Sequence, residues 1–223
     1  MGPAIGQTLP LALGIAISPV PIIAAVLMLL SPRARTTSVG FLIGWVLGIV
    51  IATTVFVLLS QILPGMTEAG SKPILGVIQL LLGTGMLLLA FRQWRGRPGP
   101  DDEPHMPKWM QTVDHISFGG AFGLGALLAG VNPKNLLLAA SAGATIGSAG
   151  LSTGEVTITV AVFTLLAACT VLLPVIGYLV ASKSLAGTLD ELRVWLSREN
   201  AVIMTVLLLV LGVVVIGKGI GSF

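Results

Sequence analysis

Six solid apolar runs divide the chain: roughly Ile5 to Leu30, Val39 to Ser60, Pro73 to Phe91, Phe118 to Ile146, Val156 to Ala181 and Ala201 to Ile216. Each approaches or exceeds the roughly 20 apolar residues a helix needs to cross hydrocarbon. Strands would need a closed barrel built from alternating segments of about ten residues, which solid runs do not supply. The intervening polar stretches are Ser31 to Arg35, Pro64 to Lys72, Arg92 to His115, Gly147 to Gly154 and Lys183 to Asn200. The pattern predicts an all-α membrane protein of six transmembrane helices.

Composition agrees. Of 223 residues, 55% are apolar and 9% charged, whereas a soluble domain carries roughly 25% charged residues. Mean hydropathy is +1.00. The net charge of +3 is distributed by loop, which speaks for topology and against nucleic-acid binding. No Lys or Arg precedes Arg33, so the first run is expected to stay as a span and not to be cleaved as a signal peptide. The lone cysteine, Cys169, lies in an apolar run and excludes an internal disulfide.

The cations fall on one side. Arg33, Arg35, Arg92, Arg95, Arg97, Lys108, Lys183, Arg193 and Arg198 follow the odd-numbered runs, and only Lys72 and Lys218 follow the even ones. Basic loops stay in the cytoplasm. This predicts an inner-membrane protein with both termini outside and with loops 31–38, 92–117 and 183–200 cytoplasmic.

Ser18-Pro19-Val20-Pro21 lies late in the first run, and Asn132-Pro133-Lys134-Asn135 at the same depth in the fourth. Pro133 follows Pro19 by 114 positions, and the same offset carries Ser38, near the head of the second run, onto Ser152 near the head of the fifth. Two three-helix halves must run in opposite senses, giving the inverted repeat common among secondary transporters. The expected division is residues 1–95 for the first repeat, 96–116 for a cytoplasmic linker and 117–223 for the second. The linker, with Asp101, Asp102, Glu103 and four prolines, reads as flexible.

A proline inside a helix removes a backbone donor and clashes with the carbonyl one turn earlier. In hydrocarbon the freed carbonyl needs a new partner. Pro19 with Pro21, and Pro133 between Asn132 and Asn135, should therefore break helices 1 and 4. Paired breaks in matching halves point to a substrate site made by Ser18, Pro19, Pro21, Asn132, Pro133, Lys134 and Asn135. Two structural kinks are the plainer alternative.

Lys134 is 16 residues from Phe118 and 12 from Ile146, near mid-membrane. A cation there costs about 2.5–3.5 kcal/mol on insertion scales, and no Asp or Glu lies within the runs to offset it. It should rely on freed carbonyls, a water cavity or a bound anion. A proton cycle on Lys134 is a further option, and snorkelling to one surface is the structural one. Gly40, Gly44 and Gly48 put small residues on one helix face, suited to helix packing within the chain or to a homodimer seam. Arg33 and Arg35 anchor topology or hold anionic lipid headgroups. No Walker loop, catalytic carboxylate pair, Ser/His/Asp set or metal-ligand spacing is present, and His105 and His115 are isolated. The sequence implies no enzyme, no cofactor and no metal.

At these motifs the chain resembles the lysine exporter (LysE) superfamily. With Ser31-Pro32-Arg33-Ala34-Arg35 and Gly40-Phe41-Leu42-Ile43-Gly44-Trp45 added, it looks like the GAP branch, the glycopeptidolipid and sulfolipid-1 addressing proteins. The resemblance implies export of a cell-envelope glycolipid or related anionic amphiphile, beside membrane lipids and a larger lipid exporter as partners. Redox-conducting relatives carry a cysteine in each broken helix, and these helices have none. A non-transporting accessory subunit and an amino-acid type exporter are the alternatives.

Overall fold

The computed structural model describes residues 1–62, 73–97, 116–181 and 186–223, and every regular element among them is helical. These are α1 (Gly2–Ala16), α2 (Pro19–Leu30), α3 (Ala34–Ile62), α4 (Pro73–Arg95), α5 (Phe118–Gly130), α6 (Pro133–Gly147), α7 (Thr153–Ala181) and α8 (Ala186–Ile220). Lys72, Lys108, Lys183, His105, His115 and most of the expected 96–116 linker lie outside the described residues.

Four helices, α3, α4, α7 and α8, are long and apolar enough to cross a membrane, and the pair α1 and α2, bent by 53°, makes a fifth if taken as one span. The fourth apolar run is divided between α5 and α6, of 13 and 15 residues, each shorter than the roughly 20 residues a straight crossing needs. Length and composition therefore give four to five spans where the sequence pattern predicts six.

Two expectations are corrected. Most of the stretch 183–200 is helix, not loop: α8 starts at Ala186 and runs unbroken for 35 residues, about 50 Å. Its polar opening still places Leu189 and Leu196 seven residues apart on one buried face, with Leu192 packed beside them, so amphipathic packing carries the helix through a charged sequence. Ser38 and Ser152 are likewise not equivalent. Ser38 is buried inside α3, whereas Ser152 precedes α7 and exchanges hydrogen bonds with Glu155 in a capping box, its N–H reaching Glu155 Oε2 at 3.0 Å.

The broken helices are central. Most of α2 and α6 is buried, and Leu11, Ile15, Ile22, Met28, Leu138 and Leu211 belong to one continuous core. The long helices form the outside, exposing Ile51, Leu81, Leu88, Leu165, Leu173 and Leu209, an apolar belt suited to lipid.

α3 runs parallel to α5 and then α6. A Cβ on Gly44 would run into the Phe122 carbonyl oxygen, and one on Gly147 would meet Ser60 Oγ and the Val57 carbonyl. α4 and α8 pair antiparallel, with Gly76 against Gly219 and Gly83 against Gly212. The pairings echo one another: α3 touches α5 and α6 as α7 touches α1 and α2, and α8 meets α2 as α4 meets α6. Met1 lies 3.9 Å from Glu155 at the head of α7, so α1 and α7 start at the same end of the bundle. Ser222 bonds Gln79 of α4 at 3.2 Å, placing the end of α8 beside the start of α4.

Candidate functional site at two helix breaks

Pro19 and Pro21 lack the N–H groups that would bond the carbonyls of Ile15 and Ile17, and the residue before a proline is pushed to extended backbone. Ser18 accordingly has φ −73° and ψ 114°, and α2 starts at Pro19. Its N–H turns to Ile15 O at 3.1 Å, where a continued helix would send it to Gly14 O. The Gly14 carbonyl is thus released in the interior. Lys134 Nζ donates to it at 2.7 Å. The Ala16 carbonyl accepts from the Thr170 hydroxyl of α7.

The second break has the same backbone form. Asn132 has φ −60° and ψ 120°, and Pro133 opens α6. Here the partners are local. Asn132 Oδ1 accepts from the Lys134 N–H at 3.1 Å, and Asn135 Nδ2 donates to Leu128 O at 2.9 Å.

Lys134 is 2% exposed. Among the described residues no carboxylate stands within ion-pair distance of it, and Gly14 O is its Nζ partner. The carboxyl end of α1 supplies compensation, because the last carbonyls of a helix carry about half a negative charge. The amino end of α6, beginning one residue before Lys134, adds positive potential at the same place. Two further polar atoms near the breaks, Ser18 Oγ and Asn135 Oδ1, are buried with no partner among the described residues. The arrangement offers an anionic group one ammonium and the amino end of α6, with no carboxylate at hand among the described residues.

The predicted residues do not all converge. Ser18, Pro19, Pro21, Lys134 and Asn135 are buried, Asn132 is half-buried, and Pro133 is exposed on the outside of the bundle. Pro133, the exposed first residue of α6, shapes the break without sharing the burial of Lys134 and Asn135 beside it. Arg33 and Arg35 are exposed around the turn into α3. Gly40, Gly44 and Gly48 all pack on α5, near Phe118, Phe122 and Ala126, which leaves that stripe unavailable as a seam between copies.

Sequence reasoning missed Gly14 and Thr170. The prolines announce which carbonyls lose donors, but no periodicity tells which distant side chain will reach them. It also missed a cavity of about 570 Å³ at the end of the bundle that carries both termini, lined by Gln7, Gln79, Thr145, Lys218 and Ser222 among others.

A family model described as Sap, sulfolipid-1-addressing protein, matches residues 8–221. The chain belongs to that family. The match starts within α1 and runs past the end of α8, so both breaks, Lys134 and most of the cavity lie inside the sulfolipid-1-addressing region. With its apolar helices, membership marks this sulfolipid-1-addressing family member as a multi-pass membrane protein tied to lipid handling. No curated protein and no solved structure is similar to the chain at a significant level.

Proposed function

We propose that the chain is an integral membrane permease, not an enzyme, that translocates a cell-envelope glycolipid or related anionic amphiphile. Lys134 receives the anionic group between the two breaks. The observation that carries this reading is the buried ammonium held, among the described residues, only by a carbonyl that a helix break releases. A purely structural lysine would be an expensive way to satisfy one carbonyl, because the partial charge at the α1 carboxyl end offsets only part of its full charge in an apolar interior. A ligand anion would provide the compensation. The family name, which speaks of sulfolipid-1, supports an amphiphile with an acidic headgroup.

The same reading takes the eight helices as six crossings in two inverted halves, the plan of the lysine exporter superfamily. Matching break geometry at Ser18 and Asn132 supports it, as do the echoed helix pairings. Arg33, Arg35, Arg92, Arg95, Arg193 and Arg198 gather where α2, α4 and α8 meet that end of the bundle, opposite Lys218. Under the positive-inside rule this arginine end faces the cytoplasm and both termini face out of the inner membrane. Arg33 and Arg35 are then placed to meet anionic headgroups.

One observation favours a second reading, an accessory subunit of a larger lipid exporter. The Lys134–Gly14 bond already ties the two halves together, which a scaffold would also need. Mass spectrometry of lipid copurifying with the chain separates the readings. A carrier retains an acidic lipid that Lys134→Ala loses. A scaffold shows the same lipids with and without the substitution, and an amino-acid type exporter retains no acidic lipid through Lys134.

A further inference from the structure

The cavity between the starts of α1 and α4 and the ends of α6 and α8 holds one cationic side chain among its described lining residues, Lys218. Lys218 Nζ donates to the Gln7 carbonyl, which uses one of its three donors. Gln79, only 4% exposed, lies 3.2 Å from Ser222 Oγ through its amide, while the Ser222 hydroxyl also reaches the Lys218 carbonyl at 3.0 Å. None of the described lining residues is acidic. The remaining donors of the Lys218 ammonium, with no acidic side chain among the described lining residues, favour a negatively charged guest.

Size narrows the guest further. At about 570 Å³ the cavity falls in the range of small-molecule sites, about 300–1,000 Å³, and a water takes about 30 Å³. A bare inorganic anion would leave most of it empty. An anion carried on a hydroxylated body, such as a glycerol or sugar headgroup, fills it, with Gln7 and Thr145 placed to meet hydroxyls.

One face of α6 leads from the cavity toward Lys134. Lys134, Leu138, Ser141, Thr145 and Ser148 follow one another at spacings of four and three along α6, and so share one helix face. Thr145 and Ser148 line the cavity. Ser141, one turn deeper, is buried with no partner for its hydroxyl among the described residues, and Leu138 packs on Gly14, whose carbonyl holds Lys134.

We infer that this cavity is a second anion site, taking the phosphate- or sulfate-bearing headgroup of an acidic lipid, with Lys218 and Gln79 as its recognition residues. The inference deepens the transport reading by naming a second station for the same headgroup. It rests on that reading for the path between stations, not for binding.

The test places the full chain in phosphatidylcholine nanodiscs and measures acylation of the Lys218 amine by peptide mapping. Phosphatidylglycerol is added in one arm and soluble glycerol 1-phosphate in another. Phosphatidylglycerol is expected to slow labelling about tenfold, the scale of one charge-assisted hydrogen bond, and Gln79→Leu to remove most of that protection. Protection by the lipid alone identifies a membrane source; protection by both arms identifies the shared phosphate chemistry, free or lipid-borne. No protection in either arm, or full protection in Gln79→Leu, overturns the inference. Lys134→Met should keep the protection at Lys218. If that variant stops translocation while protection persists, both stations stand; if protection is absent while translocation depends on Lys134, this inference alone fails.

Discussion

The two breaks share a backbone shape and differ in who supplies their missing hydrogen bonds. At Ser18 the released carbonyls of Gly14 and Ala16 are met from far along the chain, by Lys134 and Thr170. At Asn132 the two asparagines, within the same few residues, close the gap themselves. The second break is therefore built locally and the first is completed only when the other half of the chain docks. A break whose partners come from elsewhere can open when those partners are drawn away. A ligand anion competing with the Gly14 carbonyl for Lys134 would do this, so on the proposed transport reading the first break is the movable one and the second its fixed counterpart.

The largest disturbance of this contrast should come from Gly44→Leu. Its side chain would drive into the Phe122 backbone, which cannot yield as a flexible side chain does. α5 should separate from α3, undoing the fixed break at a cost at or above the upper end of about 1–3 kcal/mol. Size-exclusion chromatography in detergent should show loss of the monodisperse protein, and a normal elution profile would refute the packing. Asn135→Leu comes next. It leaves the Leu128 carbonyl unpaired in the interior, at a cost of about 1–3 kcal/mol, visible as a lower thermal midpoint. Thr170→Val, at the movable break, should cost only about 0.6 kcal/mol, the average for a hydrogen bond between membrane helices. The double variant sharpens the contrast. If the breaks are independent, the two costs add to within about 0.5 kcal/mol, and a larger coupling would mean that the breaks act as one unit.

The sequence made the breaks legible because proline chemistry is local. Pro19, Pro21 and Pro133 each delete a donor at a known position, and Asn132 and Asn135 are close enough to be read as replacements. That Lys134 needs a partner other than a carboxylate was legible too, from the absence of intramembrane carboxylates, with a released carbonyl one of three candidates beside a water cavity and a bound anion. Its choice of Gly14, 120 positions away, was not, since that depends on how α1 and α6 dock. The extension of α8 back to Ala186 escaped notice because its charged residues mask the Leu189, Leu192 and Leu196 face. Ser38 and Ser152 fitted the repeat by offset alone, yet one is a core residue and the other a helix cap. The cavity at Lys218 gathers residues from four helices, and nothing in their spacing along the chain announces it.

The central claim is that the Lys134 charge, and not merely its hydrogen bond, serves the cargo. Lys134→Met is the sharpest probe. It forfeits the bond to Gly14 but also relieves an unpaired cation, and these opposing effects, about 1–3 and about 2.5–3.5 kcal/mol, nearly offset, so the fold should survive. Translocation of a dye-labelled sulfated glycolipid across proteoliposomes is then measured for the unaltered chain and for this variant, at matched and verified reconstitution. The rate should fall to that of empty vesicles in Lys134→Met. A variant that moves the lipid as fast as the unaltered chain would contradict the account.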